Sequence, residues 1–198
     1  NFQGLAGAAP QGTFALVPTM RDALGDDVLI LASGGIADGR GVAAALTLGA
    51  DGVWVGTRLV ATNEALVHDE HKRRLVAATG TDTVYSSIFG PNDPSFNPMR
   101  LLKNGVVRDW NHRLSEVPTD TSSQPLIGTT MMGGQEMTLR KFSVLLPTPE
   151  MKADWEETPF LAGQGVGLVN DVLPAQQVVQ RMMSEAAGLL AKGLHVRD

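Results

Sequence analysis

The chain has no cysteine among its 198 residues. Disulfides, thiolate metal sites and cysteine nucleophiles are therefore excluded, and the composition is compatible with the reducing cytoplasm. No apolar run approaches the roughly 18 residues that span a bilayer, and no basic-then-apolar leader opens the sequence. We therefore expect a cytoplasmic protein without a membrane partner.

An excess of positive charge is also missing. The 16 Lys and Arg residues are outnumbered by 21 Asp and Glu residues, which gives a formal net charge of −5. Since a positive field is needed to hold a nucleic-acid backbone, we expect no nucleic-acid partner. The sequence also lacks a P-loop, a nucleophile elbow and an HExxH zinc motif. With 43% hydrophobic residues, the composition is that of an ordinary globular domain.

Two glycine-bearing turns, each placed after an apolar run, are the most informative feature that is present. Residues 28–32 are apolar throughout, residues 52–55 form a second short run, and residues 38–48 show helical periodicity between them. A continuous apolar run is typical of a strand covered on both faces, and the order predicts a β-α-β unit of an α/β fold. The turn residues are Ser33, Gly34 and Gly35 after the first run, and Gly56 and Thr57 after the second.

Parallel strands end at the same edge of a sheet, so the two turns should lie side by side. Glycine lets a backbone N–H approach an anion because no Cβ is in the way, and Thr57 adds a hydroxyl donor. The turns therefore predict a phosphate site, as in (β/α)₈ barrels. Asp38 is expected to cap the helix between them, whereas Arg40 and Arg58 could pair with the phosphate or with surface carboxylates.

Two histidines, His68 and His71, lie beside two carboxylates, and such a cluster could bind a transition metal. The surrounding charges are typical of a solvated helix over residues 64–78, so we predict no metal site. His112 and His195 have no evident partners and are expected at the surface. None of the four is predicted to be a catalytic base.

Prolines divide the middle of the chain into short pieces. We predict a short helix over residues 18–25, with Pro18 in its first turn, and one helix near residues 99–113 within an extension. The clearest helix covers residues 174–192, and its apolar stripe is expected to pack in the core. The members of this stripe are Val178, Val179, Met182, Met183, Ala186, Leu189 and Leu190.

Residues 163–167 offer alternating glycines but lack the strand and the ribose-binding acid of a dinucleotide fingerprint. They form either a loop that leads to the final helix, or a loop that returns Gln164 to the mouth of the active site.

Residues 32–41 and 48–58 together resemble the nitronate monooxygenases, formerly called 2-nitropropane dioxygenases, and their relatives the FMN-dependent enoyl-acyl-carrier-protein reductases. The resemblance covers most of residues 12–83, resumes at residues 160–169, and is weak between them except at residues 97–113. Both groups are FMN-binding TIM barrels. The resemblance therefore implies the C-terminal part of such a barrel, with an appended mainly helical extension.

Three segments follow from this resemblance. Residues 1–83 would form the last βα units of the barrel, residues 84–159 the extension, and residues 160–198 the glycine-glutamine loop and the last helix. The FMN phosphate would be held by the two turns, that is by Ser33, Gly34, Gly35, Gly56 and Thr57. Gln164 would bind the flavin, and Gly165 would contact the substrate.

The family's catalytic histidine lies in a glycine-rich segment upstream of the position that matches Asn1. A complete barrel needs about 250 residues, so we expect the N-terminal half of the barrel to be this chain's partner, with a homo-oligomer as a further possibility. No catalytic residue is then expected in this chain.

The reaction that the resemblance implies is oxidation of an alkyl nitronate by O₂ to a carbonyl compound and nitrite. Two alternatives stay open. One is an FMN-dependent enoyl-thioester reductase that uses NAD(P)H, although the long extension argues against it. The other is a phosphate-binding TIM barrel without flavin, or an inactive fragment.

Overall fold

A computed structural model of the chain describes residues 11–90 and 98–192. These residues form a mixed α/β structure. The helices are α1 (Thr13–Leu24), α2 (Gly39–Thr47), α3 (Thr57–Val60), α4 (Asp69–Ala77), α5 (Gly105–Trp110) and α6 (Ala175–Ala191). The strands are β1 (Leu31–Ser33), β2 (Gly52–Trp54), β3 (Thr83–Ser86), β4 (Met99–Leu102), β5 (Leu126–Met132), β6 (Gln135–Arg140) and β7 (Lys152–Ala153). Short 3-10 helices cover Gly80–Asp82, Leu114–Glu116 and Gln164–Leu168.

The predicted β-α-β unit is confirmed. Strands β1 and β2 pair in parallel, with Leu31 opposite Gly52 and Ser33 opposite Trp54, and α2 connects them. Asp38 caps α2 as predicted, because its Oδ1 accepts the N–H of Gly41 at 3.1 Å. Both strands therefore end at one edge, where the two turns begin.

The two strands are not covered on both faces, which corrects the interpretation of their apolar runs. Ala32 is buried against α1 and α2, but Leu31 is 55% exposed and Trp54 is 69% exposed. Because alternate strand residues point to opposite faces, the helices cover one face of this pair, and in the described residues the other face is open.

Helix α6 packs on α2 at very short range. A Cβ on Gly39 would lie 2.5 Å from the carbonyl oxygen of Met182, so only glycine permits this approach. The buried stripe of α6 consists of Val178, Met182 and Ala186. The predicted stripe was too wide, because Val179, Met183, Leu189 and Leu190 are each at least 40% exposed.

In the described part of the extension, more residues lie in strands than in helices, so the expectation of a mainly helical extension is wrong. Strand β3 pairs with β4 in antiparallel fashion, and β5 lies between β6 and β7. The predicted helix near residues 99–113 is shorter, because its first residues form β4. Gly133 and Gly134, both with positive φ, make the tight turn between β5 and β6.

Two helix starts also differ from the predictions. Helix α1 begins at Thr13 and contains Pro18 in its interior, whereas the sequence suggested a start at the proline. Helix α4 begins at Asp69, because His68 caps it, so residues 64–68 are not helical. Within the described parts of the chain, no helix is both long and apolar enough to cross a membrane.

Candidate functional site

The two glycine turns meet at one cleft of about 340 Å³, a volume at the lower end of the range for small-molecule sites. Ser33, at the end of β1, lines it together with Gly34 and Gly35, and Gly56 and Thr57 line it after β2. The sequence therefore identified correctly which residues share this edge of the sheet. Their role toward a ligand stays a prediction.

Glycine is needed at the first turn for conformational reasons, and at both turns its small size keeps the cleft open. Gly34 and Gly35 have φ values of 102° and 77°, which side chains rarely adopt. A Cβ added to Gly35 or Gly56 would meet no atom within 4 Å. A side chain at either position would therefore extend into free space beside the turns.

Two threonines hold the turns in place. The Oγ1 of Thr13 lies 2.8 Å from the carbonyl oxygen of Ser33 and 3.0 Å from that of Gly34, so α1 anchors the first turn. Thr57 Oγ1 accepts the N–H of Gly163 at 2.9 Å. Since this bond uses a lone pair of Thr57, its hydroxyl proton can be donated to a ligand. Thr13 was missed because no motif marks it.

The glycine-glutamine loop reaches the cleft through its glycines. Gly163 and Gly165 both line it, whereas Gln164 is exposed and is not among its lining residues. A Cβ on Gly165 would lie 2.8 Å from the carbonyl oxygen of Gly35. Gly165 therefore lets the loop pack directly against the first turn, and the expected placement of Gln164 in the cleft is not seen.

The cleft also contains a charged residue that the sequence did not predict there. Arg100 lies on β4, far from both turns in sequence, and lines the same cleft. Its Nη1 donates to Thr83 Oγ1 at 3.3 Å, and its guanidinium carbon is 5.8 Å from the centre of the Tyr85 ring. No local pattern in the sequence distinguishes this arginine from the others.

The two arginines beside the turns pair with carboxylates. The buried Arg58 donates to Asp171 Oδ1 at 2.8 Å, and Arg40 Nε donates to Asp38 at 2.7 Å. Neither arginine lines the cleft. Of the two interpretations left open by the sequence, the structure therefore favours carboxylate pairing for both.

His71 is buried, which corrects the expectation that it lies on a solvated helix. Its Nε2 is 3.1 Å from the carbonyl oxygen of Leu161, a cleft residue, and burial lowers its pKa. His68 accepts the N–H of Glu70 as the cap of α4.

In the described residues, no three His, Asp or Glu side chains are grouped to hold a metal. His112 is exposed, and His195 lies outside the described residues.

Comparisons with known proteins extend the resemblance that the two turns suggested. The family model for nitronate monooxygenase matches residues 2–185. A probable nitronate monooxygenase of Bacillus subtilis is 28% identical, over 90% of this chain and 45% of its own length. A putative monooxygenase of Mycobacterium tuberculosis is 34% identical, over 87% of this chain and 42% of its own length.

Two solved structures are similar in fold. The nitroalkane oxidase from Streptomyces ansochromogenes matches with a TM-score of 0.66 at 26% identity, over 91% of this chain and 45% of its own. FabK from Thermotoga maritima matches with a TM-score of 0.64 at 26% identity, over 93% of this chain and 51% of its own. The chain thus spans about half the length of these proteins. Because the family model matches nearly all of its residues, the chain belongs to the nitronate monooxygenase family.

Proposed function

We propose that this chain forms the FMN-phosphate-binding part of an enzyme that oxidises alkyl nitronates with O₂ to a carbonyl compound and nitrite. The observation that carries the proposal is the meeting of two glycine turns at one cleft, where a Cβ on Gly35 or Gly56 would project into open space. Relatives named as nitronate monooxygenases support the reaction class.

The residues present fit a phosphate group. Gly34, Gly35 and Gly56 allow close approach of the backbone, and Thr57 has a hydroxyl proton to donate. Ser33 completes the first turn. FMN would supply the redox chemistry when bound, and these residues would hold and orient its phosphate end.

The rest of the active site is proposed to come from a segment that corresponds to the other half of the longer relatives. The catalytic histidine that the family resemblance implies would come from that segment. The open face of β1 and β2 also fits this arrangement, since a TIM barrel would bring further strands and the flavin against it. Gly165 lines the cleft and packs on Gly35, and its contact with the substrate stays a proposal.

The first experiment is to measure flavin in the full-length protein by its visible absorption spectrum. We predict stoichiometric FMN, and we predict that Gly56→Leu removes it because the new side chain fills the space beside the turn. Gly188→Leu is the matched control, since a Cβ there also meets no atom within 4 Å but lies on α6, outside the cleft. Full FMN occupancy in a folded Gly56→Leu protein would refute the phosphate assignment.

The likeness to FabK supports a second candidate, an enoyl-thioester reductase that consumes NAD(P)H. The two reactions differ in their reductant. Rapid anaerobic bleaching of the bound flavin by NADH would favour the reductase, whereas bleaching by an alkyl nitronate alone would favour the monooxygenase. A full-length protein that binds no FMN would exclude both.

A further inference from the structure

Arg100 is the one residue with a formal charge among the described residues that line the cleft. The two turns contribute backbone groups and hydroxyls, but no cation. The neighbouring arginines are engaged elsewhere, since Arg40 and Arg58 pair with carboxylates outside this cleft. Any charge that the described chain offers to a cleft ligand therefore comes from β4.

Hydrogen bonds position Arg100 in the cleft that the two turns also line. Thr83 Oγ1 accepts from its Nη1 at 3.3 Å and donates to the Gly80 carbonyl oxygen at 3.2 Å. The backbone carbonyl oxygen of Arg100 accepts the N–H of Ala162 at 3.2 Å. The next residue, Gly163, bonds to Thr57. The arginine is thus linked through a short stretch of backbone to the second turn.

The guanidinium of Arg100 lacks a counter-ion among the described residues. Its Nε is buried and has no hydrogen-bond partner there, and no ion pair within 4.0 Å between described residues includes Arg100. An arginine side chain stays protonated at any physiological pH. Arg100 is half-buried, and among the described residues its charge is unpaired and its Nε lacks a hydrogen bond. Such a cation is costly to leave uncompensated, so an anionic ligand group would complete the site.

We propose that Arg100 is the counter-ion of the phosphate group held by the two glycine turns, and that it binds this phosphate directly. The proposal rests on the function proposed above. The planar, forked donors of a guanidinium match phosphate oxygens well. Backbone amides and Thr57 fix the position of the phosphate, and Arg100 neutralises part of its charge.

The test compares FMN with riboflavin, which has the same ring system but no phosphate. Dissociation constants for both are measured on the full-length protein after removal of its flavin. Arg100→Gln should weaken FMN binding by about 10- to 100-fold, as expected for loss of a charged hydrogen bond. Riboflavin binding should stay unchanged. Arg100→Lys keeps the positive charge, so it should bind FMN more tightly than riboflavin, though by a smaller factor than the wild type. This variant replaces Arg100→Gln in the test if Arg100→Gln does not fold.

Arg73→Gln is the matched control. It removes the same charge from an exposed position on α4, where the arginine pairs with Glu70 outside the cleft. FMN and riboflavin affinities should both stay at their wild-type values. This control separates a direct contact from a change in net charge.

Three results would overturn the proposal. Equal weakening of FMN and riboflavin would mean that Arg100 only supports the fold of the cleft. Unchanged FMN affinity with a raised KM for the nitronate would mean that Arg100 faces the anionic substrate instead. If the wild-type protein binds neither FMN nor riboflavin, both the proposed function and the role of Arg100 are refuted. This outcome differs from the other two because it is seen in the wild-type protein, without any variant.

Discussion

At the scale of single residues, contact distances around glycine decide what the cleft tolerates. The space near Gly56 is open, whereas Gly165 lies directly against the first turn, with the Gly35 carbonyl oxygen 2.8 Å from its hypothetical Cβ. Both glycines occur in recognisable patterns in the sequence. Only the structure shows that Gly56 borders free space, whereas Gly165 packs against the backbone of Gly35.

Gly165→Ala should therefore destabilise the protein by about 1–3 kcal/mol, the usual cost of overpacking. It should also weaken FMN binding, because the first turn must shift. Gly188→Ala, at an exposed interior position of α6 with no atom near the new Cβ, should stabilise by about 0.5–1 kcal/mol through helix propensity. Urea unfolding of both variants measures these effects. Equal stability of the two variants would contradict the packing role of Gly165.

At the scale of elements, ion pairs connect α4 to the extension. Glu70 accepts from Arg74 Nε at 2.7 Å, and Arg74 Nη2 donates to Glu156 at 2.8 Å. Glu156 in turn accepts the N–H of Gly105 at the start of α5. Partial burial acts to raise the pKa of Glu156, but these hydrogen bonds outweigh it and lower the pKa. This network links α4 to Glu156 and to the start of α5.

Glu70 should make the stability of the protein depend on acidity. Hydrogen bonds from Arg73 and Arg74 lower the pKa of Glu70 from 4.5 to about 2, against partial burial. A carboxyl with a depressed folded-state pKa contributes its full stabilisation above pH 4.5, and loses it as the pH falls toward 2. Glu70→Gln should cost about 1–2 kcal/mol at neutral pH.

The difference from wild type should then shrink steadily in acid, as measured by urea unfolding over this pH range. Glu136→Gln, at an exposed position of β6, is the control and should change stability by less than about 0.5 kcal/mol. A Glu70→Gln deficit that stayed constant with pH would show that the carboxylate charge is not responsible.

The β-α-β unit could be predicted from sequence because its signals are local. Apolar runs, the Asp38 cap and the glycines each act within a few residues. Fold class and the candidate turns followed from them. The extension was misjudged for two reasons. The pairing of Thr83–Ser86 with Met99–Leu102 joins segments that are distant in sequence, and the local hairpin signal of Gly133 and Gly134 between β5 and β6 was overlooked. Proline positions show where elements stop, but not which strands meet.

The same distinction explains the errors in the candidate site. Arg100 reaches the cleft because β4 packs beside residues 160–162, with Leu101 bridged to Leu161. No periodicity encodes that contact. Gln164 was assigned to the flavin by resemblance; in the described residues its flanking glycines line the cleft, and the flavin contact of Gln164 stays a prediction. His71 was assigned to solvent from its charged neighbours, although its own face of α4 packs against Phe160.

At the scale of the whole molecule, the open face of the β1–β2 pair carries large apolar side chains. Leu31 is 55% exposed and Trp54 is 69% exposed. Scattered apolar residues are normal on a surface, but an apolar group beside a candidate ligand cleft indicates a covered site. The chain spans 42% to 45% of the length of two relatives that it matches over most of its own residues. A segment equivalent to their remaining part would cover this face under the proposed function.

Trp54 reports on that arrangement directly. In the 198-residue chain alone, its indole should be quenched efficiently by acrylamide, because most of its surface is exposed. In the full-length protein with FMN, the same indole should be shielded, and its emission should move to shorter wavelength. Subtracting the spectrum of Trp54→Phe isolates this signal from Trp110 and Trp155, both of which pack against other aromatic rings. Equal quenching of Trp54 in the two proteins would show that no further segment or flavin covers this face, and would remove the structural argument for a barrel completed from outside the chain.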